Sequence, residues 1–379
     1  MALSVALAGA TGADPISLPF SRQRRGAPRV SGENWWKPHV YAARRPHLET
    51  RQKVLGAVRR FFADENFAEV ETPALQVSPG LEPHLAAFRT ELEAPDRARR
   101  RTLYLHTSPE FAMKKLLVAG EKRLYQLCKV YRNAERAATH HPEFSMIEWY
   151  RAHAGYRDIM EDCVGLLRAA LRAAGHPRFS WCGLESDPFG EWDRVSVAGA
   201  FMRHAGIDLQ ACTGSDPKRP DVAPFAAAAR KLGLRPVEGD SWDDIFFRIF
   251  LDRVEPKLGH PAPTILYDYP ISMAALSRPK PEDPRLAERF EIYVCGLELA
   301  NAFGELTDAR VQRARFEADM DLKEKLYGLR YPIDEDFLAA LEHGMPESAG
   351  IALGFDRLVM LAAGAARIED ILWAPVADA

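Results

Sequence analysis

Residues 291–305, EIYVCGLELANAFGE, carry the most informative pattern in the chain. Two runs of β-forming residues meet at Cys295-Gly296, a dipeptide suited to a tight turn, so the segment is predicted to form a β-hairpin. In that hairpin Tyr293 faces Glu298, and Glu291 lies diagonal to Glu298 on the same side of the sheet, roughly 7 Å away at the backbone. Two carboxylates that converge there repel each other unless a cation lies between them. The pattern therefore suits a hard ion such as Mg²⁺ bound to nucleotide phosphates, and two solvated carboxylates on an exposed sheet face are the alternative.

Composition and charge are those of an ordinary globular protein. The chain has 379 residues, with 50 Lys and Arg, 53 Asp and Glu and a formal net charge of −3, so bulk charge gives no indication of a large polyanion such as tRNA. No apolar run approaches the roughly 20 residues of a membrane span, and no membrane partner is expected. The five cysteines form no CxxC pair, which favours reduced thiols and a cytoplasmic location over a disulfide framework or a zinc site.

Local patterns separate an N-terminal extension from one large domain. Residues 1–44 lack a periodic pattern and are predicted to be disordered or loosely docked. Residues 45–66 carry apolar side chains at helical spacing, and the strand that follows ends at Pro73. The Pro- and Gly-interrupted range 176–240 is predicted to be a helical insertion within a domain that extends over 45–379.

Two pairs of polar residues are candidates for binding an amine. Thr107 to Glu110, TSPE, predicts a helix start with Pro in the first turn and Thr-x-x-Glu as a capping box, and capping alone explains these residues. The functional alternative is that Ser108 and Glu110 face a bound amine. Glu148 and Tyr150 lie two apart on a predicted strand and therefore share a face, where they suit either an ammonium ligand or an ordinary surface pair.

Two arginines are candidates for binding phosphate. Arg132 ends a predicted strand beside a loop that holds Arg136, His140 and His141, and a cationic cluster at such a junction suits a phosphate group. Arg357 lies in the first turn of the helix after the apolar strand GIALG, where the helix dipole disfavours a cation by roughly 0.3–1 kcal/mol. No Walker A, GxGxxG or kinase motif occurs, so a phosphate site here is of another kind.

Together these segments resemble the catalytic domain of class II aminoacyl-tRNA synthetases. The helix and strand ending at Pro73 resemble motif 1, the dimerisation element; YRN…HHPEFSMIEWY resembles motif 2, and GIALGFDRL resembles motif 3. ERFEIY, ELANAFGELTDA and TSPEF are similar to the lysine-specific branch. The resemblance implies an α+β fold, a mainly antiparallel sheet flanked by helices, ATP and Mg²⁺ as ligands, and a homodimer.

The resemblance is greatest to stand-alone members of the lysine branch. Only about forty-five residues precede the first helix, too few for the five-stranded anticodon-binding barrel. Such members attach lysine or β-lysine to a lysine of elongation factor P, which implies that protein as the acceptor and makes tRNA an unexpected partner.

The resemblance also implies the role of each candidate residue. Arg132 would hold the α-phosphate and the amino-acid carboxylate, and Arg357 would be the second catalytic arginine. The remaining implied sets are the nucleotide-binding residues Asn133, His141, Glu298, Leu299 and Gly354, the amino-acid-binding residues Ser108, Glu110, Glu148, Tyr150, Asn301 and Glu305, and the metal ligands Glu291 and Glu298. Strict alternation puts Asn301 and Glu305 on the sheet face opposite Glu298, so their convergence requires a bulge or a bend.

The chain departs from the family pattern at several positions. Ala134 replaces a carboxylate that normally meets the adenine amino group, and Glu135 is the possible substitute. Ala138 stands where an arginine is common, and Ala302 replaces a glycine. Ala352 also replaces a glycine of tRNA-charging enzymes, in agreement with a stand-alone member. Two other functions therefore stay open: a degenerate module that binds ATP without catalysis, and an enzyme that charges tRNA or another small acceptor.

Overall fold

A computed structural model describes residues 34–377, and strands supply its framework. Their bounds are β1 (Ala68–Glu69), β2 (Leu75–Gln76), β3 (Arg89–Glu93), β4 (Arg100–Leu105), β5 (Arg123–Tyr131), β6 (Glu143–Ala152), β7 (Phe179–Trp181), β8 (Leu184–Ser186), β9 (Asp193–Ser196), β10 (Thr264–Pro270), β11 (Leu286–Val294), β12 (Leu297–Gly304) and β13 (Ser348–Gly354). Within the described range, eight of them form one sheet in the order β1-β5-β6-β13-β12-β11-β10-β9. The inner strands are antiparallel, and only the edge strands β1 and β9 pair in parallel among those described.

Helices pack on this sheet and beside one of its edges. Their bounds are α1 (Pro38–Asp64), α2 (Glu110–Val118), α3 (Tyr156–Ala174), α4 (Val197–Ala205), α5 (Val222–Lys231), α6 (Trp242–Ile249), α7 (Ala309–Tyr327), α8 (Glu335–Gly344) and α9 (Phe355–Ala363). A mainly antiparallel sheet flanked by helices confirms the predicted α+β class. In the part of the chain that the structure describes, no helix is both long and apolar enough to cross a membrane.

One face of the sheet forms the main core. Helices α1, α3 and α9 pack on it, and buried residues such as Phe62, Trp149 and Ile292 fill the contact. Phe62 stacks on Tyr125 with ring centroids 4.2 Å apart. Since this face is sealed by apolar side chains, polar groups on alternate strand positions are directed to the opposite face, where the candidate site lies.

A second core joins the predicted insertion to the sheet edge. Helices α4, α5 and α6 pack around Phe201 and Phe246, next to strands β9 and β10. Ser241 begins α6 with a capping box, in which its Oγ accepts from the N–H of Asp244 at 3.1 Å. Strands β7 to β9 lie within the range 176–240, so the insertion is not purely helical. Its limits as a domain stay a prediction.

The hairpin forms in the predicted register but contains a bulge. Tyr293 pairs with Glu298 across β11 and β12, and the turn residues Cys295 and Gly296 have φ of 53° and 76°. The next pair is Ile292 with Ala300, so Leu299 is an extra residue in β12. Because one extra residue reverses the faces of all later side chains, Asn301 and Glu305 lie on the same face as Glu298. The bulge thus supplies the convergence that strict alternation forbids.

Two local predictions differ from the structure. Thr107 and Glu110 form no capping box: the Thr107 hydroxyl donates to the carbonyl of Pro79 at 2.7 Å, and the first N–H of α2, that of Glu110, donates to Ser108 Oγ at 3.1 Å. The first helix begins at Pro38 instead of residue 45, since proline is tolerated in a first turn. The predictions for residues 1–33 lie outside the described residues.

Candidate active site

The floor of the candidate site is built by pairing across three strands. Asn301 of β12 pairs with Ala352 of β13, which pairs with Glu148 of β6. In the next row Phe303 pairs with Gly350, and Gly350 pairs with Tyr150. Directly opposed residues in antiparallel strands share a face, so these side chains form one continuous surface. The Ala352 side chain thus lies between those of Asn301 and Glu148 in its row.

Three carboxylates and one ammonium group form an acidic slot on that floor. Glu148 accepts hydrogen bonds from Ser108 Oγ at 2.6 Å and from Tyr150 Oη at 2.5 Å. The Nζ of Lys114 pairs with Glu110 and, at 2.6 Å, with Glu305. Burial, and then the charge of Glu110, raises the pKa of Glu148, and burial raises the pKa of Glu305. One lysine thus pairs with two of the three acids, and a bound ammonium group would relieve the remaining repulsion.

Gly350 permits the close approach of the slot residues. A Cβ at this position would lie 2.2 Å from Cδ1 of Tyr150 and 2.7 Å from Oε1 of Glu305. Real atoms do not come this close, so the position of the Tyr150 ring depends on the missing side chain.

The predicted metal ligands lie beside a buried arginine. Glu291 accepts hydrogen bonds from Arg289 Nη2 at 2.7 Å and from Tyr293 Oη at 2.6 Å. Arg289 is therefore one cation of this face. It was missed in the sequence, although residues 289 and 291 are two apart on a strand and share a face.

The surplus of carboxylates at this place fits a divalent cation. Burial, followed by the charges of Glu298 and Glu291, raises the pKa of Glu255 to about 7. Among residues 34–377 no group of three or more His, Cys, Asp or Glu side chains is arranged to hold a metal by itself. Glu291 and Glu298 therefore fit Mg²⁺ only if phosphate and water oxygens complete its coordination, as is usual for this ion.

The two predicted phosphate-binding arginines are both buried. The Arg132 guanidinium lies over the Phe144 ring at 5.3 Å, and its Nη1 has no hydrogen-bond partner among the described residues. Arg357 is held more firmly, by donating to the carbonyls of Thr139 at 3.2 Å and Glu298 at 2.6 Å and to Nε2 of His140 at 2.8 Å. A buried guanidinium without an anion is costly, so Arg132 is suited to a bound phosphate or carboxylate.

Two cavities adjoin these arginines. A cavity of about 630 Å³ is lined by Ser108, Glu110, Arg132 and Arg289 together with α6 and α7. A much smaller one lies between His141, Phe144, Gly354 and Arg357.

Three predicted nucleotide-binding side chains do not present a free polar group to either cavity. Asn133 is exposed, and its Oδ1 accepts from the N–H of Ala134 at 2.9 Å. Leu299, the bulged residue, points into the core, so only its backbone is near Gly354. The His141 ring lines the small cavity, but both its nitrogens are engaged: Nδ1 with the carbonyl of Glu143 at 2.7 Å and Nε2 with the N–H of Val376 at 3.2 Å.

Glu135 occupies the small cavity that Ala134 cannot reach. It is 5% exposed, and its Oε2 has no hydrogen-bond partner within the described residues. Ala134 has a φ of 63°, which turns the chain so that the next side chain points inward. Burial raises the pKa of Glu135. An inward carboxylate beside Arg357 is an acceptor that a nucleotide base could use.

Comparison with known proteins gives a consistent result. The family model of class II tRNA synthetases (D, K and N) matches residues 39–377. A relative from Pectobacterium carotovorum, named elongation factor P–(R)-β-lysine ligase, is 39% identical over 339 residues, which are 89% of this chain and 96% of the relative. Relatives of the same name from Sodalis glossinidius and Yersinia enterocolitica are 41% identical over 339 residues and 39% identical over 346 residues. The Yersinia match covers 91% of this chain and 98% of the relative.

Proposed function

The chain belongs to the family of class II tRNA synthetases (D, K and N) and is an ATP-dependent ligase, and we propose that it attaches lysine or β-lysine to a lysine side chain of elongation factor P. The acceptor and the amino acid are those that the relatives' names give. In this proposal the amino acid first becomes an aminoacyl-adenylate, and the acceptor amine then displaces AMP.

The observation that carries the proposal is the acidic slot. Its carboxylates Glu110, Glu148 and Glu305 are shielded from solvent, with Glu148 and Glu305 each 1% exposed. The one lysine among them, Lys114, pairs with Glu110 and Glu305. A slot of this kind favours a ligand with an ammonium group and rejects neutral or acidic amino acids. In the proposal Ser108, Tyr150 and Asn301 orient the ligand beside these acids.

Arg132 and Arg357 then neutralise the reacting anions. The ligand carboxylate attacks the α-phosphorus of ATP, and pyrophosphate leaves. Arg132, whose Nη1 is unpaired within the described chain, would bind the carboxylate and the α-phosphate together. Positioning and charge neutralisation of this type supply most of the rate acceleration in phosphate displacement.

The nucleotide would lie against the bulged strand and the start of α9. Gly354 and the backbone of Leu299 approach each other there, and Glu135 faces the same small cavity. Mg²⁺ held by Glu291 and Glu298 would neutralise phosphate charge when bound. Asn133 and His141 are assigned to the nucleotide through the family resemblance, His141 through its position more than through a free nitrogen.

Two measurements test the proposal. Pyrophosphate exchange into ATP should require lysine or β-lysine, and mass spectrometry of elongation factor P should show one added lysine residue after incubation with enzyme, ATP and amino acid. No exchange with any amino acid would refute the activating role, and ATP binding without exchange would indicate a degenerate binding module. Exchange with a tRNA product and an unmodified elongation factor P would refute the acceptor.

We also propose that the chain forms a homodimer through α1 and the strand that follows it. The support is the resemblance of residues 45–73 to motif 1. Light scattering at several protein concentrations would test it, and a mass of one chain throughout would contradict it.

A further inference from the structure

Charged residues of two kinds line the large cavity, and they differ in sign and in burial. The arginines Arg132 and Arg289 are the more buried, 5% and 6% exposed. The carboxylates of Glu82, Asp243 and Asp319 are less buried, and this more exposed, acidic part is called the mouth of the cavity. These three acids come from separate parts of the chain: the loop after β2, the first turn of α6 and the middle of α7. Three independent elements thus bring negative charge to one opening.

We propose that this mouth is the entrance for the acceptor lysine, and that Asp243, Asp319 and Glu82 receive its ammonium group. The proposal rests on the proposed function and adds the path by which the second substrate enters. The partner that fits this entrance is an acceptor protein with a lysine at the tip of a loop.

An independent observation suits the buried part of the same cavity to an anionic ligand. Arg132 is more than nine-tenths buried and lines the cavity, and its Nη1 has no partner among residues 34–377. With the phosphate of an aminoacyl-adenylate bound there, the reactive carbonyl of the adenylate would be exposed to the cavity. An acceptor amine that enters through the mouth in its protonated form meets the acidic side chains first.

Two of the mouth carboxylates, Asp243 and Asp319, form no ion pair with a described residue. No hydrogen bond or ion pair from the described residues reaches the side chains of Asp243 and Asp319. Burial, and then the charge of Glu82, raises the pKa of Asp319 to about 7, with Arg315 opposing. Burial, and then the charge of Asp244, raises the pKa of Asp243 to about 6, while the charge of Arg289 opposes this rise. Unpaired acids in a cavity destabilise the fold, which is expected of groups kept for a ligand.

The rim of the mouth suits a polypeptide better than a nucleic acid. Leu322, Leu326 and Tyr327 line the cavity from α7 and are 41%, 44% and 45% exposed. Apolar side chains around an acidic opening complement a loop with one lysine, whereas the acids repel the phosphates of tRNA. Lys325, also on the rim, is the one cation of α7 among the described lining residues.

The loop that carries Glu82 is held in place by α7. The Nζ of Lys323 donates to the carbonyls of Glu82, Pro83 and Leu85, at 3.4, 2.9 and 2.6 Å. His84 Nδ1 lies 2.9 Å from Tyr327 Oη. These contacts fix one wall of the mouth before any acceptor binds, so the entrance is preformed.

The transfer step balances with the groups present. The acceptor ammonium gives one proton to the carboxylate of Asp319 or Asp243, and the raised pKa of these acids narrows the gap to an ammonium pKa of about 10.4. The amine lone pair then attacks the carbonyl carbon of the adenylate and forms the C–N bond. The C–O bond to the AMP phosphate breaks with its electron pair on the phosphate oxygen, and the second nitrogen proton passes to water.

The test separates transfer from activation. Asp319→Asn, Asp243→Asn and the double variant are compared with wild type for lysine-dependent pyrophosphate exchange and for transfer to elongation factor P. We expect the ratio of transfer to exchange to fall about 10-fold or more in the double variant, since a charged acceptor site and a proton acceptor are lost together. Asp319→Glu, which keeps a carboxylate, should have a ratio of transfer to exchange closer to that of wild type than Asp319→Asn has. Asp321→Asn, on an exposed acid of the same helix that pairs with Arg330, is the matched control.

The outcomes are distinguishable. An unchanged ratio in the double variant, with exchange intact, would overturn the entrance and leave the activating role standing. Equal losses of exchange and transfer would also overturn it, because they would indicate a general effect on the fold or on adenylate formation. Absence of exchange in the wild-type enzyme would refute the proposed function, and the entrance with it.

Discussion

The substitution Gly350→Ala tests how tightly the acidic slot is packed. The backbone of Gly350 does not have a positive φ, so alanine is compatible with its conformation. The new methyl, however, would lie 2.2 Å from Cδ1 and Cε1 of Tyr150 and 2.7 Å from Oε1 of Glu305. Because the Tyr150 ring is 2% exposed, it has to move within a packed environment.

The expected effect has two parts. Overpacking of a buried site costs about 1–3 kcal/mol of stability. Displacement of Tyr150 also removes its 2.5 Å hydrogen bond to Glu148, a bond to a carboxylate worth about 1.5–3 kcal/mol. If that bond orients Glu148 toward the ligand, the KM for lysine should rise roughly 10- to 150-fold, while the KM for ATP changes little.

The assay combines urea unfolding with pyrophosphate exchange at varied lysine and varied ATP. Gly190→Ala is the matched control, since its Cβ would meet no atom within 4 Å and its backbone also lacks a positive φ. A Gly350→Ala protein with the stability and the lysine KM of the Gly190→Ala protein would refute the close packing of Tyr150 against Gly350.

Three further predictions follow from buried charges. Lys114→Met should destabilise the protein by about 3–5 kcal/mol in urea unfolding, because it leaves buried carboxylates unpaired. The control Lys115→Met, which removes partly exposed ion pairs, should cost less than about 1 kcal/mol. Equal costs would contradict the buried pairing. Glu135→Ala should raise the KM for ATP roughly 10- to 150-fold and weaken the preference for ATP over GTP. The control Glu317→Ala, which changes an exposed side chain, should leave the KM and the preference unchanged. An unaltered preference in Glu135→Ala would exclude Glu135 from base recognition. Burial raises the folded-state pKa of Asp319 from 3.8 to about 7, so the contribution of this residue to stability falls as pH rises between these values. The stability gained by Asp319→Asn should therefore grow over that interval to about 1–3 kcal/mol and then level off, in unfolding measured from pH 4 to 8. A gain that is constant with pH would contradict the raised pKa.

The stability cost of the mouth acids bears on how the site is maintained. Asp243 and Asp319 both bind protons more tightly in the folded state than in the unfolded chain, so each lowers stability near neutral pH. Their replacement by asparagine is expected to stabilise the protein and impair transfer at the same time. Such opposite effects on stability and activity are typical of functional sites.

Local pattern was sufficient for several features of this chain. Cys295-Gly296 predicted the turn, and the turn set the pairing of Tyr293 with Glu298. The helical spacing of apolar residues in 45–66 predicted most of α1. These features depend on residues within one or two turns of each other, so the sequence of a short window is enough to specify them.

The candidate site depended on contacts that no short window contains. The extra residue Leu299 is defined only by the pairing of β12 with its neighbour β11, and it decides which face Asn301 and Glu305 occupy. Lys114 meets Glu305 across the fold, and the mouth acids come from elements that are distant in sequence. Family resemblance therefore identified many of the polar residues from the sequence, but not Lys114 or Arg289. The convergence of these residues, their partners and their altered pKa values arise from packing and burial, which only the tertiary structure determines.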